Sequence, residues 1–289
     1  MLRRSLAALA ALVVLSGCGT GTGAREPALP SPGRDNKQLI EAAKADCMKG
    51  KGFKYVSFVM VGTDMGIDEK IWLGDYAAMK ADRTKRGYGV FYLLVHREKM
   101  RAAADETPDN PNYALRAELS NSQAKTYDKA LESCEAQAIK QVTGKVVKSN
   151  EDWSSQASKA GARRIERELN GDPELAKLAA AMGDCLAAKG HQVTANSPRA
   201  MSEWGYTLFR RQLHDLAREQ DDEIPPYDPD SEMWYSPGRL SAEDARRHLD
   251  REIKVALEDL ECGKNFYAAY LPRSEKIYKE VRAEFGLGD

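Results

Sequence analysis

Residues 46–53 read Asp46-Cys47-Met48-Lys49-Gly50-Lys51-Gly52-Phe53, and residues 184–191 read Asp184-Cys185-Leu186-Ala187-Ala188-Lys189-Gly190-His191. Both fit D-C-(M/L)-x-x-K-G-aromatic. Further matches follow in the same order. Gly87-Tyr88 answers to Gly205-Tyr206, and Asp105-Glu106-Thr107-Pro108 to Asp222-Glu223-Ile224-Pro225, 18 residues on in one case and 17 in the other. Leu119-Ser120 and Leu240-Ser241 each open a helix that runs into a second cysteine, Cys134 or Cys262. Internal repetition of this kind sets the architecture before any single element does. The expected fold is mainly α with little strand, in two pseudo-repeated halves. The first half covers residues 36–140 and the second 172–289, with a linker and connecting helix over 141–171.

The N-terminus carries a different signal. Arg3 and Arg4 precede an apolar run over residues 6–15, which ends in Leu15-Ser16-Gly17-Cys18. A basic start, a short apolar core and small residues before a cut make an export signal of residues 1–17. The run is too short to span a bilayer as a permanent helix. Its ending resembles the lipobox of bacterial lipoproteins. That resemblance implies cleavage before Cys18, a diacylglycerol on its thiol, usually an added amide-linked chain, and anchorage on the extracytoplasmic face of the cell membrane. More than one acyl chain is needed for stable anchoring. Residues 18–35 are rich in Gly, Thr, Pro and Ser and are expected to be a disordered, lipidated tether. Its end-to-end reach is roughly 20–25 Å.

With Cys18 assigned to lipid, Cys47, Cys134, Cys185 and Cys262 remain. An even count in an exported chain suggests two disulfides, and four cysteines allow three pairings. Helix geometry favours one. Cys134 lies 14 residues after Ser120 and Cys262 lies 21 after Ser241. The difference is two helical turns, across which a helix drifts by only about 20°. Both cysteines thus leave their caps from nearly the same face. The preferred pairs are Cys47–Cys134 and Cys185–Cys262, each closing a loop worth about 4–5 kcal/mol in the chain-entropy account.

Apolar periodicity predicts helices over 36–50, 68–85, 90–104, 120–139, 152–169, 173–189, 200–219, 241–262 and 274–285. Ser120 with Gln123 forms a capping box, Asp172-Pro173 is a strong start, and Pro272 reads as a stop. Trp153, Ala157, Ile165 and Leu169 are candidate inner positions of one helix; Leu175, Leu178, Ala179 and Met182 are those of the next. Residues 53–61, β-branched and aromatic, predict one short strand.

The whole chain holds 43 basic and 44 acidic residues. Removing the leader takes away two arginines and no acid, which leaves −3. So even a balance gives no field for gripping nucleic acid. His96, His191, His214 and His248 form no H-E-x-x-H, so no metal or cofactor is expected. No C-x-x-C, G-x-S-x-G, G-x-G-x-x-G or Walker loop occurs in the mature chain, and residues 62–66 read as a plain turn. The most suggestive stretch is residues 219–237, which mixes seven acids with Tyr227, Trp234 and Tyr235. Those aromatics form a candidate partner or ligand loop, set against the alternative of an acidic loop with its rings tucked onto helices. Its spacing does not match an EF-hand.

The half-motif around Cys47, the Gly87-Tyr88-Gly89 turn, Asn110-Pro111-Asn112 and the A-L-x-x-C helix from Ala130 to Cys134 resemble uncharacterised secreted lipoproteins of actinobacteria. The resemblance spans most of residues 36–140 and, more faintly, 172–265. It brings no activity with it. The second half departs from it, lacking the glycine after Gly205-Tyr206 and any Asn-Pro-Asn. The functional expectation is a membrane-anchored envelope lipoprotein, a non-catalytic interaction or binding module with an envelope protein or cell-wall partner. The first alternative is an envelope hydrolase using a carboxylate pair hidden among the acids. A solute-binding lipoprotein is a third, although such proteins usually alternate strands with helices.

Overall fold

The computed structural model describes residues 32–59, 67–98, 109–229, 231 and 233–287. The leader, Cys18, residues 18–31 of the tether, the 62–66 turn and the Asp105-Glu106-Thr107-Pro108 match lie outside them.

The two D-C-(M/L)-x-x-K-G-aromatic stretches turn out to be the same device. In the first, the Gly52 N–H donates to the Lys49 carbonyl (3.0 Å) and the Phe53 N–H to the Met48 carbonyl (3.0 Å). In the second, Gly190 donates to Ala187 (2.9 Å) and His191 to Leu186 (3.1 Å). Gly52 and Gly190 adopt φ of 82° and 86°. This is a Schellman stop, in which a left-handed glycine lets the chain fold back and satisfy the last carbonyls of the helix. Met48 and Leu186 are fully buried. Each cysteine thus sits one turn before a fixed helix end.

The helices so ended are α1 (Pro32–Gly50) and α7 (Pro173–Ala188). Between them lie α2 (Tyr76–Arg86), α3 (Tyr92–Val95), α4 (Pro111–Ala117), α5 (Asn121–Thr143) and α6 (Asn150–Glu168). After α7 come α8 (Pro198–Arg218), α9 (Ala242–Cys262) and α10 (Lys264–Phe285). No strand occurs among the described residues. Cys47 bonds Cys134, tying α1 to α5, and Cys185 bonds Cys262, tying α7 to α9; the Cα–Cα separations are 5.5 and 5.6 Å. The caps read from the sequence are in place. Ser120 and Gln123 form the reciprocal box. Asp172 accepts from the N–H groups of Glu174 and Leu175, and Ser241 accepts from Asp244.

Several expectations are corrected. Residues 53–59 form no strand. The Val56 backbone is paired instead by a side chain: Asn112 accepts from its N–H and donates to its carbonyl, both at 2.8 Å. Asn110 caps α4 and steadies the Asn112 amide, so Asn110-Pro111-Asn112 acts as a one-residue substitute for a neighbouring strand. The helix expected over 68–85 is a 3-10 turn (Glu69–Leu73) followed by α2, with the break at Gly74, φ 74°. A Cβ there would lie 2.5 Å from the Tyr267 carbonyl oxygen. Asp75 then caps α2 by accepting from Ala78. Within 90–104, α3 ends at Val95, and residues 99–104 lie outside the description. The first helix begins at Pro32 rather than residue 36.

Pro272 does not stop a helix, because α10 runs through it. An interior proline costs about 3 kcal/mol by removing one backbone bond and crowding the preceding turn. Phe266, Tyr267, Tyr270, Ser274, Ile277, Val281 and Phe285 form a buried stripe at helical spacing on both sides of it. Burying large side chains at about 1.5–3 kcal/mol each outweighs that cost.

The main core gathers Ile40 and Ile139 from the first half with Leu175, Met182, Met201, Leu260, Phe266 and Ile277 from the second. The connecting helix α6 belongs to it through the four positions expected to face inward: Trp153, Ala157, Ile165 and Leu169 are all buried. The Trp153 indole N–H donates to the Phe285 carbonyl (3.0 Å). A second cluster joins Val90 and Phe91 to Phe209, Leu213 and Leu249, and a third surrounds the first disulfide with Met48, Tyr127 and Ala130.

Candidate functional site

The loop carrying Tyr227, Trp234 and Tyr235 folds back on α8. Its two tyrosines meet the ring of buried His214 edge-on, each at 5.4 Å between centroids. Arg211 lies over Tyr227 and Arg210 over Trp234, and Arg210 also donates to the carbonyls of Ser231 and Met233. The rings therefore spend their faces on arginines and on His214 within the fold; Trp234 remains 42% exposed. His248 stacks on Phe91 with centroids 4.7 Å apart, and burial lowers its pKa. Among the described residues no group of three or more His, Cys, Asp or Glu side chains could hold a metal ion.

Sequence reading missed two buried acids on α9. Glu252 and Asp259 are both 0% exposed. The Glu252 carboxylate accepts the backbone N–H groups of Tyr88 (2.8 Å), Val90 (2.9 Å) and Phe91 (2.8 Å). Gly87 and Gly89, both at positive φ, bend the chain into this cradle. Burial pushes the Glu252 pKa up to about 7 against the pull of those donors. Asp259 pairs with Arg83 from α2 and accepts from the Tyr267 hydroxyl (2.7 Å). Its pKa is also raised by burial, with Arg83 pulling the other way. Arg83 lies 5.2 Å from the Tyr88 ring and 4.8 Å from that of Tyr267. Tyr88 in turn covers Gly205, where a Cβ would lie 1.9 Å from its hydroxyl. These are the perturbed carboxyls that a hydrolase would need, but both are sealed from solvent, Glu252 on three backbone donors and Asp259 on Arg83 and Tyr267 through Oδ2, with its Oδ1 buried and without a hydrogen bond among the described residues. What they do is clamp the 83–91 segment of the first half onto the second.

A surface fit to meet a ligand lies elsewhere. A cleft of about 870 Å³ is lined by Trp72 and Leu73 of the 3-10 turn, Ser202 and Glu203 of α8, and Tyr270, Ser274, Glu275 and Tyr278 of α10. Its volume is within the range of small-molecule sites. Trp72 is 51% and Leu73 54% exposed. Gly74 fixes the direction of this turn, which projects both side chains outward. The Tyr278 ring lies on Gly161 of α6, where a Cβ would come within 3.0 Å. Tyr270 stacks on Phe266, and burial pushes its hydroxyl up to about 12, so it stays a neutral donor. Two of the three lining carboxylates are paired, Glu203 with Arg199 (3.2 Å) and Glu275 with Arg282 (3.4 Å) and Lys279 (3.8 Å); the third, Glu69, is exposed. The lining is thus aromatic and polar, with Glu203 and Glu275 neutralised by neighbouring cations. Tyr270, Ser274 and Tyr278 recur at steps of four on α10 and so share one face, whereas Trp72 comes from the distant 3-10 turn. Comparison with protein-family models, curated proteins and solved structures gives no match to this chain.

Proposed function

We propose that the chain is a lipid-anchored protein of the cell envelope that binds a cell-wall saccharide in the Trp72–Tyr278 cleft without acting on it chemically. The observation that carries the binding reading is the cleft lining. Flat indole and phenol faces suit the C–H face of a sugar ring. The charge-paired Glu203 and Glu275 suit its hydroxyls as acceptors, as does the Ser202 oxygen, whose own proton goes to the Arg199 carbonyl. The anchoring part rests on Arg3, Arg4 and the Leu15-Ser16-Gly17-Cys18 ending. No described helix is long and apolar enough to cross a membrane.

The two parts are tested separately. Cys18→Ala is expected to release the protein from membranes and abolish acyl labelling; continued labelling refutes the anchor. Trp72→Ala with Tyr278→Ala is expected to weaken binding to purified cell-wall glycan, measured by calorimetry, by at least about tenfold, as for loss of two aromatic anchors. Unchanged glycan affinity in a folded double variant refutes the cleft.

A further inference from the structure

A second cleft, of about 370 Å³, opens where the end of α7 meets α8 and α9. Its floor is apolar, made by Phe209 and Val255, both buried. Its walls are cationic. Lys189 stands just before the Gly190 stop, and Arg251 and Lys254 rise from α9. Arg251, Lys254, Val255 and Glu258 recur at helical spacing and so share one face.

Glu258 is the acid among the lining residues, and it is already engaged. His191, the aromatic of the second Schellman stop, contacts its carboxylate through Nε2 at 2.7 Å. The imidazole is itself braced edge-on against Trp204, 5.4 Å between centroids. Among the described residues, Lys189, Arg251 and Lys254 have no carboxylate within ion-pair distance. Lys44, in contrast, is paired with Glu41 and Glu135, and Arg282 with Glu275. A chain that is net negative therefore gathers three cations, none in an ion pair, around a concavity whose one carboxylate is Glu258.

We infer that this cleft binds a phosphate-bearing ligand, with Lys189, Arg251 and Lys254 holding the oxyanion and the exposed Leu208, above the floor of Phe209 and Val255, receiving the carbon skeleton attached to it. A guanidinium offers a fork of donors that matches two phosphate oxygens, and the two ammonium groups add movable donors. The apolar floor excludes water beneath the anion, which strengthens each contact. The Schellman stop gives the site its rigidity, since Lys189 and His191 flank a glycine whose geometry is fixed by two backbone bonds. The site is separate from the aromatic cleft and does not depend on the saccharide reading.

The test uses the full chain carrying Cys18→Ser, so that no acyl chain contributes. Inorganic pyrophosphate is titrated by calorimetry, and vesicles of phosphatidylglycerol in phosphatidylcholine are tested by co-sedimentation. Saturable binding of either probe is expected. It should weaken at least about tenfold in Arg251→Gln/Lys254→Gln, as expected for loss of two charge-assisted contacts. The control Lys125→Gln/Lys129→Gln removes equal charge from exposed positions on α5 and should leave affinity within about twofold. Pyrophosphate binding identifies a free phosphorylated solute as the source, and vesicle binding alone identifies a lipid headgroup. Absence of saturable binding to both probes, or an equal loss in the control, overturns the proposal. Melting curves of both variants establish that they fold.

Discussion

Replacing Glu252 with glutamine separates the charge of this carboxyl from its shape. In the folded chain burial pushes its pKa from 4.5 to about 7, while three backbone donors converge on it. Below pH 4.5 both folded and unfolded chains hold the proton. Between 4.5 and 7 the folded state keeps it and the unfolded state releases it. The unfolded state then binds fewer protons, so stability falls as pH rises through this window. The gap between 4.5 and about 7 corresponds to on the order of 3 kcal/mol. That stability is fully present below pH 4.5 and lost once pH passes 7. Glutamine cannot titrate, and its amide sets a donor against one of the three N–H groups, which costs about 1–3 kcal/mol at any pH. The wild-type chain should therefore be the more stable one in acid. Its advantage should shrink by about 3 kcal/mol towards pH 8 and then vanish or reverse. Denaturant unfolding of both proteins with disulfides intact, at intervals from pH 4.5 to 8, measures the difference directly. A difference that stays constant or widens with pH would refute the buried, proton-holding carboxyl.

Arg83→Leu should destabilise by about 3–5 kcal/mol, because it strands Asp259 without its cation; adding Asp259→Leu should recover most of that loss in a double-mutant cycle by thermal unfolding. Replacing Cys47 and Cys134 together by serine should cost about 4–5 kcal/mol for a closed loop of this length, visible as a lower denaturation midpoint. Gly205→Ala should cost about 1–3 kcal/mol by overpacking. Since the obstruction is the Tyr88 ring, the same substitution in a Tyr88→Ala background should be nearly neutral by the same assay.

What was legible in the sequence was local or periodic. The disulfide partners could be read because a helix carries phase over two turns, so the offsets from Ser120 and Ser241 had physical meaning. The inner faces of α6 and α7 followed from spacing alone. Rules of the same local kind failed where a distant contact outweighed them. Pro272 is a valid stop signal, overridden by a buried stripe that continues past it. Residues 53–59 have strand composition, but their partner is the Asn112 side chain, 56 residues from Val56. The break at Gly74 did leave a trace, a glycine followed directly by the capping Asp75, which is the usual end of one helix and start of another. The aromatic cleft left half a trace: Tyr270, Ser274 and Tyr278 share one face of α10 by spacing, but Trp72 joins them only once the chain has folded.

The acids of α9 were readable in principle, and they explain why the halves do not stand apart. Ala245, Leu249, Glu252, Ala256 and Asp259 recur at alternating steps of four and three, and every one is buried. Acids inside such a stripe need partners, since a buried carboxylate left alone costs several kcal/mol. Within the second half, Tyr267 supplies one donor. The others come from the first half, as the Arg83 guanidinium and the backbone of residues 88–91. The Gly87-Tyr88 pair ends α2 and feeds that cradle, whereas its sequence counterpart Gly205-Tyr206 lies inside α8 and forms the floor under Tyr88. The repeated Schellman stops and disulfides set two similar helix pairs, and this unequal middle lets one half supply partners to the buried acids of the other. Second-half residues expressed alone would expose Glu252 and Asp259 without those donors, so a fragment of residues 172–289 should lack cooperative unfolding even with Cys185–Cys262 formed.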